Sequence, residues 1–190
     1  MPRLFTGIEL PPVLAERLAD LATPLAGARW IAPEDMHITL RFAGDVDNPT
    51  AREFHDALAS IDEPAFELKL SGFGAFGGQQ PRTLWAGVAP SPWLDTLARA
   101  NERAARSAGL KPEKHSFKPH VTLARLRGTR PESVARVLEQ LGHLESPPFQ
   151  IARFVLYSSR PKVGGGPYVI EDEFRLGGGL TQADASWAID

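Results

Sequence analysis

Residues 32–40 read APEDMHITL and residues 117–123 read FKPHVTL, and the fold turns on whether these are two copies of one unit. Each copy holds the order His–apolar–Thr–apolar, as His37-Ile38-Thr39-Leu40 and His120-Val121-Thr122-Leu123. Side chains alternate faces along a strand, so His37 and Thr39 share one face while Ile38 and Leu40 turn to a core. The same parity joins His120 to Thr122. An imidazole and a hydroxyl two residues apart sit about 6–7 Å from each other at the backbone, and their tips can converge on one small ligand. A lone His–x–Thr is a chance tripeptide. Two copies at matching points of a repeated pattern are not.

The flanking segments repeat too. RLFTGIELPP (3–12) corresponds to RTLWAGVAPSP (82–92). In the first half, spacing predicts a strand from Leu4 to Leu10, a helix from Val13 to Leu25 and a strand from Met36 to Phe42. A helix from Asn48 to about Ile61 and a strand from Phe66 to Leu70 follow, then a glycine loop from Gly72 to Gly78. In the second half it predicts strands at Thr83–Ala89, His120–Leu126 and Phe149–Tyr157, with helices at Trp93–Ala108 and from Pro131 to about Leu141. Each half thus reads strand, helix, strand, helix, strand, the mark of an internal duplication. The expected architecture is one α+β domain over 1–176, made of two pseudo-symmetric lobes (about 1–80 and 81–176). Residues 177–190, with Trp187, read as a flexible tail. Gly164-Gly165-Gly166 reads as a surface loop, without the helix context of a phosphate-binding loop.

Composition narrows the function. Basic and acidic residues number 21 and 23, for a formal net charge of −2, which argues against coating nucleic acid through a basic surface. It leaves room for a small positive pocket that takes one or two phosphates. The chain has no cysteine, which removes disulfides, thiolate nucleophiles and cysteine-bound zinc. No apolar run has the length of a signal peptide core or a membrane span, so a cytoplasmic protein is expected.

The paired motifs suit displacement at phosphorus. Attacking and leaving oxygens lie roughly in line on opposite sides of the phosphorus, so one group must accept a proton while another supplies one. Histidine does both near neutrality, and the threonine hydroxyls can hold the non-bridging oxygens. Arg41 follows Thr39 by two and by strict alternation shares the face of His37. Arg125 falls out of phase with His120 and Thr122. Phe117 can stack on a base or ribose, or equally serve as a core aromatic.

These residues resemble the two-histidine phosphoesterases, and within them the LigT-like RNA 2′,3′-cyclic phosphodiesterases. The likeness runs from RLFTGIELPP (3–12) through ARWIAPEDMHITLRFAGDV (28–46), GFGAF (72–76), PRTLWAGV (81–88) and FKPHVTLARLR (117–127) to FVLYSSR (154–160). It implies antiparallel-rich sheets with helices on their outer faces, flanking a central cleft. It implies hydrolysis of RNA 2′,3′-cyclic phosphate ends to 2′-phosphate ends, without metal or other cofactor, and the reverse 2′-5′ joining. His37 would be the proton donor to the leaving ribose oxygen and His120 the acceptor that activates water, with Thr39 and Thr122 on the phosphate. An arginine at the place of Arg125 is common in the second motif, and a bulge or strand end could re-aim it. The implied partners are RNA ends such as tRNA halves or short oligonucleotides, met by a monomer away from any membrane.

Rival readings are a zinc site on the two histidines, a phosphodiesterase for another cyclic nucleotide, and a nucleotide or RNA-end binding module without turnover. Zinc lacks a third ligand at recognisable spacing. His55, His115 and His143 read as solvent-facing or loop residues, and Trp30 and Trp85 as core or cleft wall.

Overall fold

The protein, seen in a computed structural model, is described over residues 3–159 and 167–177. The poly-glycine segment at 164–166, Trp187 and the tail beyond Gly177 lie outside the described residues. Ten strands and four helices follow in the order β1 (Arg3–Glu9), α1 (Pro12–Ala19), β2 (Ala28–Trp30), β3 (His37–Asp45), α2 (Asn48–Ala59), β4 (Phe66–Leu68), β5 (Leu70–Phe76), β6 (Thr83–Val88), α3 (Pro92–Ser107), β7 (His120–Leu126), α4 (Pro131–Leu141), β8 (Phe149–Ile151), β9 (Arg153–Ser159) and β10 (Tyr168–Arg175). Among these elements no helix is long and apolar enough to cross a membrane.

Each helix carries a proline in its first two positions, where the missing N–H is no loss and φ is already helical. Asp47 and Ser91 cap α2 and α3 by accepting from the amides of Thr50 and Leu94, each worth about 1 kcal/mol. Helix α1 stops at Ala19, short of the expected Leu25. Pro24 disfavours helical backbone at Thr23, and the amides of Leu21 and Ala22 bond only three residues back, to Leu18 and Ala19.

The main sheet runs β10-β9-β1-β3-β7-β6-β5, all antiparallel, with β2 also pairing β7, and β4 and β8 form a separate two-stranded ladder. A late strand of each sequence half crosses over. β5 pairs with β6, and β9 pairs with β1, so each lobe is closed by a strand from the other half. The expected strands at 66–70 and 149–157 are both broken, at Lys69 and Ala152. Their leading pieces become the β4–β8 ladder.

The expected loop at Gly72–Gly78 is corrected: the strand continues to Phe76, paired with β6. Gly74 is there because a Cβ would lie 2.3 Å from the Trp85 ring, so its glycine signals close packing rather than a turn. The turn comes later, at Gly77 and Gly78, with φ of 111° and 55°.

Strands β3 and β7 meet on one ladder pair, Ile38 opposite Val121, both fully buried. Beyond it β3 and β7 part, and β2 takes over the edge of β7 from Ala124 to Leu126. The core lies on the face of Ile38, Leu40, Val121 and Leu123, against Leu94 and Leu97 of α3 and Phe54 and Leu58 of α2. The opposite face is left for the cleft.

Candidate active site on the seam between the motif strands

Antiparallel register at Ile38 and Val121 sets His37 beside Thr122 and Thr39 beside His120. Diagonal neighbours on one face of such a ladder lie about 7–8 Å apart at the backbone, which is the relation of His37 to His120. All four half-buried side chains line one cavity of about 220 Å³, shared with Arg29, Trp30, Asp35, Arg125 and Tyr168.

Both imidazoles are anchored by the same device. His37 Nδ1 donates to the carbonyl of Asp35 at 2.8 Å, and His120 Nδ1 donates to the carbonyl of Lys118 at 2.7 Å. A carbonyl can only accept, so each Nδ1 carries hydrogen and each Nε2 is left to accept or, when protonated, to donate. The carbonyls stand two residues upstream in both copies, in APEDMH and in FKPH. His37 sits among rings, with centroids 5.0 Å from Phe5, 5.3 Å from Tyr157 and 5.2 Å from Tyr168. His120 meets Phe76 edge-on at 4.9 Å and Trp85 at 6.3 Å.

Burial among these rings sets the charge state. Loss of water around His37 lowers its pKa to about 4, partly offset by the Asp35 carbonyl, and the charges of Arg125 and His120 lower it further. His120 is depressed less, again mainly by burial, with the Lys118 carbonyl opposing and Arg125 adding to the fall. Tyr157 is raised above its ordinary range by burial, with Glu9 adding to the rise, so it stays neutral beside His37.

The two motif strands share a second feature. Opposite β1, Gly7 faces Thr39 but Thr6 faces Arg41, leaving Leu40 as an extra residue. Opposite β6, Trp85 faces Thr122 but Leu84 faces Ala124, leaving Leu123 extra. A bulge directly after the threonine resets the alternation in both strands. Arg125 is thereby turned to the cleft face of His120 and Thr122, and it lines their cavity.

The same bulge overturns the parity expected of Arg41. Its side chain lies on the core face, 6% exposed, paired with Glu102 of α3 and donating to the carbonyls of Phe42 and Lys111. A buried guanidinium held by a carboxylate and two carbonyls is fixed in place, and it lines other cavities than that of the two histidines. Phe42 occupies the place that Arg125 holds in the second copy. It is 43% exposed, with the Arg3 guanidinium over its ring at 5.1 Å.

Phe117 is half-buried against the core and lines a larger neighbouring cleft of about 910 Å³, together with His115, Lys118, Phe76 and one side of His120. His143 is exposed, and His55, half-buried, bonds Asp172 of β10 at 2.6 Å, away from the site. Trp30 both packs on the core and lines the histidine cavity, its Nε1 donating to the Thr23 carbonyl. Sequence reading missed Arg29, Asp35, Tyr157 and Tyr168. The available signals were weak: Arg29 and Asp35 flank the first motif, while the tyrosines come from distant strands β9 and β10. Among the described residues no three His, Asp or Glu side chains group as a metal site would require.

A split sheet presenting two carbonyl-anchored imidazoles and two hydroxyls to one small cavity defines a two-histidine phosphoesterase. Residues 10–162 match the 2′-5′ RNA ligase superfamily. Two curated relatives are RNA 2′,3′-cyclic phosphodiesterases. That of Aeropyrum pernix is 38% identical over 135 residues, 70% of this chain and 75% of its own. That of Aquifex aeolicus is 29% identical over 170 residues, 87% and 90%. Among solved structures, LigT of E. coli complexed with 3′-AMP superposes with a TM-score of 0.73 at 26% identity, over 93% of this chain and 99% of that one. A structure from Thermus thermophilus gives a TM-score of 0.74 at 22% identity, over 91% and 97%, a likeness of fold. The chain belongs to the 2′-5′ RNA ligase superfamily.

Proposed function

We propose that the protein is an RNA 2′,3′-cyclic phosphodiesterase that leaves the phosphate on the 2′ oxygen, with His37 and His120 as its acid–base pair. The observation that carries this is the twin Nδ1 anchoring, which offers two Nε2 atoms to one phosphate from either side of the seam. Water attacks phosphorus opposite O3′, one imidazole takes the water's proton, and the P–O3′ bond breaks as the other imidazole protonates O3′. Thr39, Thr122 and Arg125 hold the non-bridging oxygens as charge builds on them. His37 acts as donor and His120 as acceptor. Burial makes His37 a poor holder of a proton in the free protein, and the arriving anionic phosphate offsets this, since a nearby opposite charge favours imidazolium. The reading includes 2′-5′ joining as the reverse reaction, and a cytoplasmic monomer that meets RNA ends of tRNA halves or short oligonucleotides. Residues 1–176 act as one bilobal unit.

The test is an oligoribonucleotide ending in 2′,3′-cyclic phosphate, incubated with the protein in EDTA, with the product analysed for the oxygen that keeps the phosphate. A 2′-phosphate formed at an undiminished rate is expected. Loss of turnover with chelator would favour a metal, tight binding without turnover a recognition module, and preference for a free cyclic nucleotide a different substrate.

The pH profile should carry the stamp of burial. One imidazole must be neutral and the other protonated, which gives a bell. Since both free imidazoles are depressed, kcat/KM should peak on the acid side of an ordinary histidine pKa, about 6.5. Above that peak it falls, because neither imidazole then holds a proton. Below about 4 it falls again, because both imidazoles are then charged and neither can accept a proton. The kcat optimum should lie at higher pH, because bound phosphate raises both pKa values. Coincident optima at alkaline pH would contradict the assignment.

A further inference from the structure

Arg29 of β2 is paired directly with Arg125 of β7. Cross-strand partners share a face with Cβ atoms about 4.5–5.5 Å apart, and like charges so placed repel. Neither arginine forms an ion pair with a described carboxylate, and both line the cavity of the two histidines, where the one lining carboxylate among the described residues is that of Asp35. Two guanidiniums side by side in a concave site, neither paired with a described carboxylate, are what a doubly anionic ligand would relieve.

The two are not equivalent. Arg125 stands on the strand of His120, and its charge acts on both imidazoles, whereas Arg29 is not among the charges acting on either. Arg125, on the strand of His120 and Thr122, would then serve the reacting phosphorus, and Arg29, on the neighbouring strand β2, a second anion. On an RNA end, the phosphate next to the cyclic one is that on the 5′ oxygen of the same nucleotide. A nucleoside 2′,3′-cyclic phosphate lacks it.

We infer that Arg29 is a specificity-determining residue that binds the 5′-phosphate of the terminal nucleotide, and so makes the enzyme prefer RNA ends to free nucleoside cyclic phosphates. This rests on the cyclic phosphodiesterase reading. The bland alternative, a solvated surface arginine, leaves both the like-charge pairing and the shared cavity unexplained.

The experiment compares adenosine 2′,3′-cyclic phosphate with the same compound carrying a 5′-phosphate. The ratio of kcat/KM values should favour the 5′-phosphorylated substrate by about 10- to 100-fold, the worth of a charge-assisted hydrogen bond. Arg29→Gln should collapse that ratio towards one, mainly through KM, with the pH profile in place. Arg29→Lys should keep part of it. Arg125→Gln should lower both substrates alike and preserve the ratio. With an oligonucleotide substrate, Arg29→Gln should also reduce the slope of log kcat/KM against log salt by about 0.7, one phosphate contact on a single strand.

An unchanged ratio in Arg29→Gln would overturn the inference, and so would an equal fall on both substrates. Absence of turnover on either substrate by the unaltered protein would sink the phosphodiesterase reading instead. Calorimetry with adenosine 3′,5′-bisphosphate against 3′-AMP then decides Arg29 separately. A preference for the bisphosphate that disappears in Arg29→Gln supports it, and equal affinities refute it.

Discussion

His37→Ala and His120→Ala should each lower kcat by about 10²–10⁴, the usual worth of a positioned proton donor or acceptor. Expressed as a barrier, that is about 3–5 kcal/mol. The double variant should be little worse than the poorer single one, because residues that act as a unit are not additive. His37→Ala opens space under Phe5, Tyr157 and Tyr168, so His37→Gln is the partner variant that keeps the volume and loses the titration. Rapid quench on a cyclic-phosphate oligonucleotide measures the step, and circular dichroism checks the fold. Either variant turning over at a near-normal rate would remove that imidazole from the chemistry. The two loss variants should also deform the pH profile differently: without His37, the limb near its pKa of about 4 should disappear from kcat/KM.

Ile38→Ala is expected to harm both stability and turnover. Ile38 and its partner Val121 are fully buried and form the single ladder pair between β3 and β7. Truncating a buried isoleucine costs about 2–5 kcal/mol, which for a chain of this size is a Tm drop of roughly 4–20 °C. The seam adds a second effect. His37 and Thr39 flank Ile38, and His120 and Thr122 flank Val121, so looseness at this pair is looseness between the two halves of the site. A misplacement near 1 Å can cost about 10² in rate. Phe54→Ala is the control: Phe54 is equally buried but stands on α2, outside the ladder that joins the motif strands. It should lose about 3–5 kcal/mol of stability while the folded fraction keeps its kcat. If Ile38→Ala, assayed well below its Tm, turns over as fast as Phe54→Ala, the seam has no positioning role.

The relation of Arg41 to Arg125 shows where sequence reading reaches its limit. The alternation of apolar and polar residues along HITL and HVTL is a local property, imposed by strand geometry, and it correctly set each histidine and threonine opposite a buried face. Turn prolines, helical spacing and the repeated order of segments likewise belong to short stretches of chain. They were enough for the α+β class, for most element positions and for the residues that meet at the seam.

Register is a different matter. The extra residues Leu40 and Leu123 exist as bulges because β1 and β6 pair with them in a particular way, and nothing in LRF or LAR announces it. One inserted residue flips every side chain that follows, which sent Arg41 into the core against Glu102 and brought Arg125 to the cleft. The exchange of β5 and β9 between lobes, the strand hidden in GFGAF, and the tyrosines around His37 also depend on partners far along the chain. The sequence by itself determined which groups could do the chemistry and on which strands they stand. The tertiary structure decided which cations face the cleft, because a side chain's face depends on the strand it pairs with, and that strand is not its neighbour in sequence.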